Sequence, residues 1–214
     1  MRRHVKELVG IAAATLPVSE PVCELGALQV PGHEGIADLR PFFPGQRYLG
    51  CDFQLGPGVN LVTDVVALPF ADNSLGAVIC ADTLEHVKEF WRAPAEVHRV
   101  LRPGGWFLLV TVMQFRIHDF PADYYRFTPA AIASLLRRFD HSLVFAHGQP
   151  DFPHTVGGLA FKGALPDLRA FQSQLQRWQA TDVVRLPRWK RYLKPLVPPI
   201  LLPVYRLLRD RLKR

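Results

Sequence analysis

The chain has 214 residues, 49% hydrophobic and 21% charged, a composition that allows one well-filled core and argues against extensive disorder. Its formal net charge of +7 is uneven, because residues 185–214 contain ten Lys or Arg and one Asp and so carry +9, which leaves −2 on the rest of the chain. The nearly neutral body and the lack of a recognised RNA-binding module in the sequence make nucleic acid an unexpected partner.

The first residues superficially suit an export signal, with two arginines ahead of the apolar stretch 8–14. Lys6 and Glu7 interrupt the approach, and the apolar run is short. We therefore predict an amphipathic helix over residues 3–15 that leads into the domain. The three cysteines are far apart and form no CxxC pair, which is typical of reduced core residues in a cytoplasmic protein.

Strand and helix patterns then alternate along the chain. Strands are predicted at 22–25, 47–52, 59–62, 77–80, 106–112, 142–145 and 159–161. Further helices are predicted at 35–43, 90–101 and 129–139. This alternation predicts an α/β, Rossmann-like fold, with a seven-stranded, mostly parallel sheet flanked by helices, over residues 1–165. Residues 166–214 are predicted to be a helical, basic C-terminal extension.

Two aspartates follow predicted strands, where parallel sheets bind their ligands. Asp52 ends the second strand, and we predict that it accepts hydrogen bonds from ribose hydroxyls; the alternative is a turn aspartate ahead of the Gly-Pro-Gly at 56–58. Asp64 follows the third strand among apolar residues, and we predict that it accepts the adenine amino group; the alternative is a helix or turn cap. Together they predict a nucleoside cofactor.

Three segments resemble the class I S-adenosylmethionine-dependent methyltransferases, specifically the type 11 group. They are DVVALPFADNSLGAV at 64–78, DTLEHV at 82–87 and EVHRVLRPGG at 96–105, and the resemblance extends over about residues 20–165. It implies S-adenosylmethionine as cofactor and methyl transfer to a small-molecule, sugar or lipid-linked acceptor. The cofactor-binding positions that it implies are Glu24, Gly26, Ala27, Asp52, Phe53, Asp64, Val65, Asp82 and Leu84.

The loop after the first strand departs from the family's glycine-rich turn. Residues 24–32 read ELGALQVPG, with Gly26 alone at the usual place. Ala27 or Leu28 would crowd a cofactor that approaches the backbone closely. The alternative function is therefore a non-catalytic methyltransferase-like binding module that has lost cofactor binding and fills its cleft with Leu28 or neighbouring side chains. The missing G-x-G-x-x-G also argues against a dinucleotide enzyme.

The segment 115–127 follows the fifth strand and is expected over the mouth of the cleft. For a hydroxyl acceptor a base must take the proton, and His118 and Asp119 are the candidates. Arg126 is predicted either to pair with an anionic substrate or to bond to Asp123 within the loop.

The resemblance to methyltransferases implies that residues 82–86 line the cofactor and reach the substrate. Within them, His86 is expected to brace the structure in preference to acting in catalysis. No metal-ligand cluster is evident in the sequence, so no metal site is expected.

Residues 185–214 combine positive charge with an apolar stripe formed by Val204, Leu208 and Leu212. Prolines interrupt the apolar run that precedes this stripe, so the segment is not expected to span a bilayer. It suits an anionic membrane surface, a partner helix, RNA, or a fold back on its own domain. We expect peripheral membrane contact at the cytoplasmic face.

Overall fold

A computed structural model of the chain describes residues 1–30, 34–118 and 122–181. Its strands are β1 Val22–Leu25, β2 Tyr48–Asp52, β3 Leu61–Val62, β4 Leu75–Ala81, β5 Leu101–Val112, β6 His141–Gln149 and β7 Phe152–Phe161. Its helices are α1 Arg3–Thr15, α2 Glu34–Ala37, α3 Ala93–Val100, α4 Pro129–Leu136 and α5 Arg169–Ala180. Short 3₁₀ turns occupy Arg40–Phe42, Leu84–His86 and Phe90–Arg92. The helix predicted at 35–43 is divided because Pro41 cannot donate a helical hydrogen bond.

The strands form one seven-stranded sheet in the order β3-β2-β1-β4-β5-β7-β6. Neighbours from β3 to β5 are parallel, and β7 is antiparallel to both β5 and β6. The reversal of β7 follows from the short hairpin that joins it to β6, because only antiparallel strands can be connected by so few residues. The predicted Rossmann-like, mostly parallel sheet is confirmed.

Helices cover both faces of the sheet. Strand β4 is buried along its whole length, and its alternate residues point into two separate apolar clusters. One cluster contains the buried faces of α3 and α4, and the other contains those of α1 and α5. The predicted first helix is confirmed, since Val5, Leu8, Val9 and Ala12 on α1 are fully buried. The three cysteines are free and buried, as expected of core residues.

The compact unit extends beyond the boundary expected near residue 165. Helix α5 buries Phe171, Leu175 and Trp178 in the same cluster as α1. The indole of Trp178 also donates to the carbonyl of His4 at 2.8 Å. The unit therefore runs from Met1 to Asp182, and the basic segment 185–214, with its predicted helix, lies outside the described residues.

No helix within the described part of the chain is both long enough and apolar enough to cross a membrane.

Candidate functional site

A cleft of about 820 Å³ opens at the carboxyl ends of the parallel strands. This is where the strand order changes direction between β1 and β4, the position at which open α/β sheets bind ligands. Its volume lies in the range of small-molecule sites, about 300–1,000 Å³. Seven of the nine positions expected to bind cofactor line it: Glu24, Gly26, Asp52, Phe53, Asp64, Val65 and Asp82.

The other two expected cofactor positions lie beneath the cleft surface. Ala27 is 3% exposed, and its amide donates to the carbonyl of Cys51 at 3.0 Å. Leu84 is 1% exposed and packs in the core cluster that contains α3. Neither residue is among those that line the cleft, so contact of Ala27 and Leu84 with the cofactor stays a prediction.

Gly26 holds the first turn of the cleft in a conformation that suits only glycine. Its φ is +87°, and a Cβ there would lie 2.0 Å from Oγ1 of Thr83. The hydroxyl of Thr83 is itself bound to the carbonyls of Leu25 and Ala81, each at 3.1 Å. Because Gly26 has no side chain, the chain can turn at the end of β1 while its backbone stays in close contact with Thr83, which follows β4.

The loop after Gly26 is tied to the β2–β3 connection and stays clear of the centre of the cleft. The amide of Gln29 donates to the carbonyl of Pro57 at 2.9 Å. The side chain of Leu28 lies against Gly56, where an added Cβ would meet it at 2.4 Å. Leu28 thus forms part of the cleft wall without filling the cleft. The open cleft beside Gly26 counts against the alternative function, a non-catalytic binding module whose cleft is filled by Leu28 or neighbouring side chains.

The two strand-end aspartates sit in the cleft wall with partly used carboxylates. Asp52 accepts one amide on each oxygen, from Leu28 at 3.1 Å and from Gln54 at 3.0 Å. Asp64 accepts the amide of Val66 at 3.1 Å, so the turn-capping interaction considered for it is present. A carboxylate offers about four acceptor positions, so each side chain retains capacity for a ligand.

Glu24 is the buried acid at the end of β1. It is 3% exposed and accepts a hydrogen bond from the Tyr48 hydroxyl at 2.6 Å. Burial raises the pKa of Glu24 to about 7, against the smaller lowering effects of Tyr48 and Arg40. In the folded chain, the carboxyl group of Glu24 is therefore mostly protonated at pH values below about 7.

Asp82 is occupied by an intramolecular partner. Its carboxylate receives the backbone amide of Arg2 at 3.0 Å and the guanidinium at 2.5 Å. Burial pushes the pKa of Asp82 upward, but the bonds and charge of Arg2 outweigh it and leave the pKa below its usual value. Arg2 also donates to the Thr155 hydroxyl at 2.6 Å and so links the start of the chain to β7. No sequence pattern indicated this pair, whose members are 80 residues apart.

The segment after β5 is self-packed around Asp123. Arg126 donates to both oxygens of that carboxylate and to the carbonyl of Arg116 at 3.0 Å. The Asp123 side chain is 1% exposed, and the Arg126 contacts hold its pKa below the usual range. The alternative predicted for Arg126, a bond to Asp123 within the loop, is therefore observed, and its pairing with an anionic substrate stays a prediction.

His86 and His118 meet at the cleft wall, with ring centroids 4.8 Å apart in an edge contact. His86 Nδ1 lies 2.7 Å from the carbonyl of Ala122, the bracing interaction expected of it. His118 lines the cleft, whereas Asp119 lies outside the described residues. The buried carboxyl of Glu85 is close enough to both rings to form a group of potential metal ligands. The expectation that no ligand cluster exists is thereby corrected.

Comparison with known proteins shows which proteins this domain is similar to. The family model described as "Methyltransferase domain", of the type 11 group, matches residues 46–109. An uncharacterised methyltransferase of Mycobacterium avium (strain 104) is 32% identical over 151 residues, which cover 63% of this chain and 60% of that protein. One from Mycolicibacterium paratuberculosis is 30% identical over 166 residues, 70% of this chain and 65% of that protein. The chain thus spans about three fifths of the length of these relatives.

Solved structures share the fold. The 1,6-didemethyltoxoflavin-N1-methyltransferase of Burkholderia thailandensis, with bound S-adenosylhomocysteine, aligns with a TM-score of 0.54 at 20% identity, over 75% of this chain and 79% of that one. A putative methyltransferase of Bacillus halodurans aligns with a TM-score of 0.54 at 14% identity, over 75% and 99% of the two chains. The chain therefore has the Rossmann-like fold that these methyltransferases share. Within that fold, residues 46–109 match the type 11 methyltransferase domain that the sequence motifs imply.

Proposed function

We propose that this protein transfers the methyl group of S-adenosylmethionine to an acceptor bound in the same cleft. The observation that carries the proposal is the open cleft of about 820 Å³ at the strand ends, with Gly26, Asp52 and Asp64 in its wall. The cofactor's sulfonium is already activated, so the protein's main task is to hold the acceptor in line with the methyl group. This proposal is favoured over the non-catalytic module because Leu28 leaves the cleft open.

Each part of the cofactor has a chemically suitable partner in the cleft. Asp52 accepts the ribose hydroxyls and Asp64 accepts the adenine amino group, while Phe53 and Val65 supply apolar contact for the ring. The methionine part then extends along the turn at Gly26, where the missing side chain permits close approach.

The acceptor lies on the side of the cleft lined by Phe115, His118 and Tyr124. Phe115 and Tyr124 are 38% and 49% exposed, which suits an acceptor with an apolar part, such as a lipid-linked or other small hydroxyl compound. Transfer forms a bond from the acceptor oxygen to the methyl carbon and breaks the carbon–sulfur bond, whose electron pair stays on sulfur. His118, which lines this side of the cleft, takes the hydroxyl proton.

Cofactor affinity tests the assigned roles. We expect S-adenosylhomocysteine to bind the wild-type chain, and Asp52→Ala and Asp64→Ala each to weaken binding about tenfold or more, because each loses a hydrogen bond to a charged acceptor worth about 1.5–3 kcal/mol. Isothermal titration calorimetry measures the change, with exposed Asp151→Ala as the matched control. Unchanged affinity in both cleft variants would remove these roles, and no binding to the wild type would favour the non-catalytic module.

We further propose, from sequence alone, that residues 185–214 bind the cytoplasmic face of an anionic membrane. Their charge of +9 supports this proposal, since each Lys or Arg near such a surface contributes about 1 kcal/mol. We expect the full chain to float with anionic vesicles at low salt and to be released as salt rises. A variant with the arginines at 206, 209 and 211 changed to Gln should float less, and equal recovery of both proteins would contradict the proposal.

A further inference from the structure

Three side chains capable of binding a metal ion converge on one wall of the cleft: Glu85, His86 and His118. One potential ligand atom from each lies within 4.8 Å of the other two. Glu85 and His86 belong to the 3₁₀ turn that follows β4, and His118 belongs to the segment that follows β5. All three are among the residues that line the cleft.

The carboxyl group of Glu85 is only partly satisfied by hydrogen bonds. Its side chain is fully buried, and one carboxyl oxygen accepts the Thr111 hydroxyl at 2.7 Å. The other oxygen, Oε1, has no hydrogen-bond partner among the residues that the structure describes. A buried acceptor without a partner is costly, about 1–3 kcal/mol, and more when charged. A bound cation would supply the partner that Oε1 lacks.

Both histidines are oriented as metal ligands usually are, with the second ring nitrogen hydrogen-bonded. Nδ1 of His86 lies 2.7 Å from the carbonyl of Ala122, and a carbonyl can only accept. Nδ1 of His118 lies 3.3 Å from the carbonyl of Arg116, its hydrogen-bond partner, and 3.1 Å from a carboxyl oxygen of Asp123. These acceptors assign the proton to Nδ1 in each ring, so the lone pair is on Nε2. Two imidazole rings and one carboxyl group are therefore presented together.

We propose that Glu85, His86 and His118 bind a divalent transition-metal ion, such as Zn²⁺ or Mn²⁺, through two imidazole nitrogens and one carboxylate oxygen. Three protein ligands leave the remaining coordination positions directed into the cleft, the arrangement of sites that also bind a substrate. Metal–ligand bonds of about 2 Å require the three atoms to lie within roughly 3–4 Å of one another. The three atoms lie within 4.8 Å of one another, so binding an ion would draw them together by about 1 Å.

The ion would define the class of acceptor, a step that rests on the proposed methyl transfer. Open positions beside one another favour an acceptor with two neighbouring oxygen atoms, such as the vicinal diol of a sugar. Coordination lowers the pKa of the hydroxyl, so its proton passes to solvent and the oxygen attacks the methyl carbon. The carbon–sulfur bond breaks, its electrons remain on sulfur, and the products are a methyl ether, S-adenosylhomocysteine and one proton. His118 then acts as a ligand and not as the base.

Metal uptake by the full chain tests the site directly. Protein stripped with a chelator and gel-filtered is titrated with Co²⁺ alone, and the visible absorption of the ion reports its ligands. We expect one Co²⁺ per chain, with affinity at least about tenfold weaker in His118→Ala and Glu85→Gln. The matched control is exposed His141→Ala, which should bind as the wild type does. If Glu85→Gln does not fold, the His118 variant on the surface segment decides alone.

Two results would overturn the site: no uptake by the wild type, or a wild-type affinity and spectrum in His118→Ala. A loss in His154→Ala with retention in His118→Ala would overturn it as well, because it would assign the ion to the group His4, His147 and His154. S-adenosylhomocysteine binding to the stripped protein is measured separately. Metal uptake without that binding leaves the site standing and removes the proposed methyl transfer, whereas cofactor binding without metal uptake removes the site alone.

Discussion

Replacing Gly26 with alanine is expected to abolish most cofactor binding and to destabilise the domain. A side chain at φ +87° costs about 1–2 kcal/mol, and the new Cβ would lie 2.0 Å from Thr83 Oγ1. Thr83 must then move and give up its bonds to the carbonyls of Leu25 and Ala81. We expect the free energy of unfolding to fall by about 3 kcal/mol and affinity for S-adenosylhomocysteine to fall at least tenfold. Urea denaturation and calorimetry measure the two effects.

Gly45 provides the matched control. Its φ is +75°, but no heavy atom of the described residues lies within 4 Å of the position that a Cβ would take. Gly45→Ala therefore isolates the backbone cost, about 1 kcal/mol, from the collision with Thr83, and should leave cofactor affinity unchanged. Wild-type affinity in Gly26→Ala would show that the turn after β1 does not contact the cofactor.

The sheet and two aspartates of the cleft wall were predictable because their signals are local. The apolar run at 77–80 marks a strand that is buried on both faces, and it is the centre of β4. Once strands are placed, the rule that ligands bind at their carboxyl ends selects Asp52 and Asp64 without knowledge of any long-range contact. The glycine requirement at Gly26 likewise follows from the turn that must end β1.

Contacts between distant parts of the chain were not predictable from one sequence. Nothing local indicates that Arg2 reaches Asp82, or that Leu28 lies against Gly56 and so leaves the cleft open. The cluster of Glu85, His86 and His118 was not predictable for the same reason, since two different loops bring its members together.

Helix α5 did carry a usable signal. Its buried residues Phe171, Leu175 and Trp178 follow the i, i+4, i+7 spacing of an amphipathic helix, which predicts a face packed against the domain. That periodicity predicts a domain that extends past residue 165, in spite of the basic charge that follows it.

The second large effect is expected at the ion pair between Arg2 and Asp82. The two side chains are 16% and 10% exposed, and Arg2→Ala would leave the carboxylate buried without its cation. Removing one partner of a buried pair typically costs about 3–5 kcal/mol. We therefore expect a loss of that order in the free energy of unfolding near neutral pH, measured by urea denaturation. The neighbouring Arg3→Ala is the control, because that side chain is 87% exposed and should change stability by no more than about 0.5 kcal/mol.

The pH dependence of the same variants separates the ion pair from simple loss of packing. Arg2 holds the pKa of Asp82 below its unfolded value, so the pair's contribution is complete above that unfolded value and is lost as pH falls through the folded one. The stability difference between wild type and Arg2→Ala should consequently shrink in acid. The double variant Arg2→Met with Asp82→Asn should recover much of the loss at neutral pH, since no buried charge then remains unpaired. A difference that stays constant with pH, together with no recovery in the double variant, would mean that Arg2 stabilises the domain by packing alone.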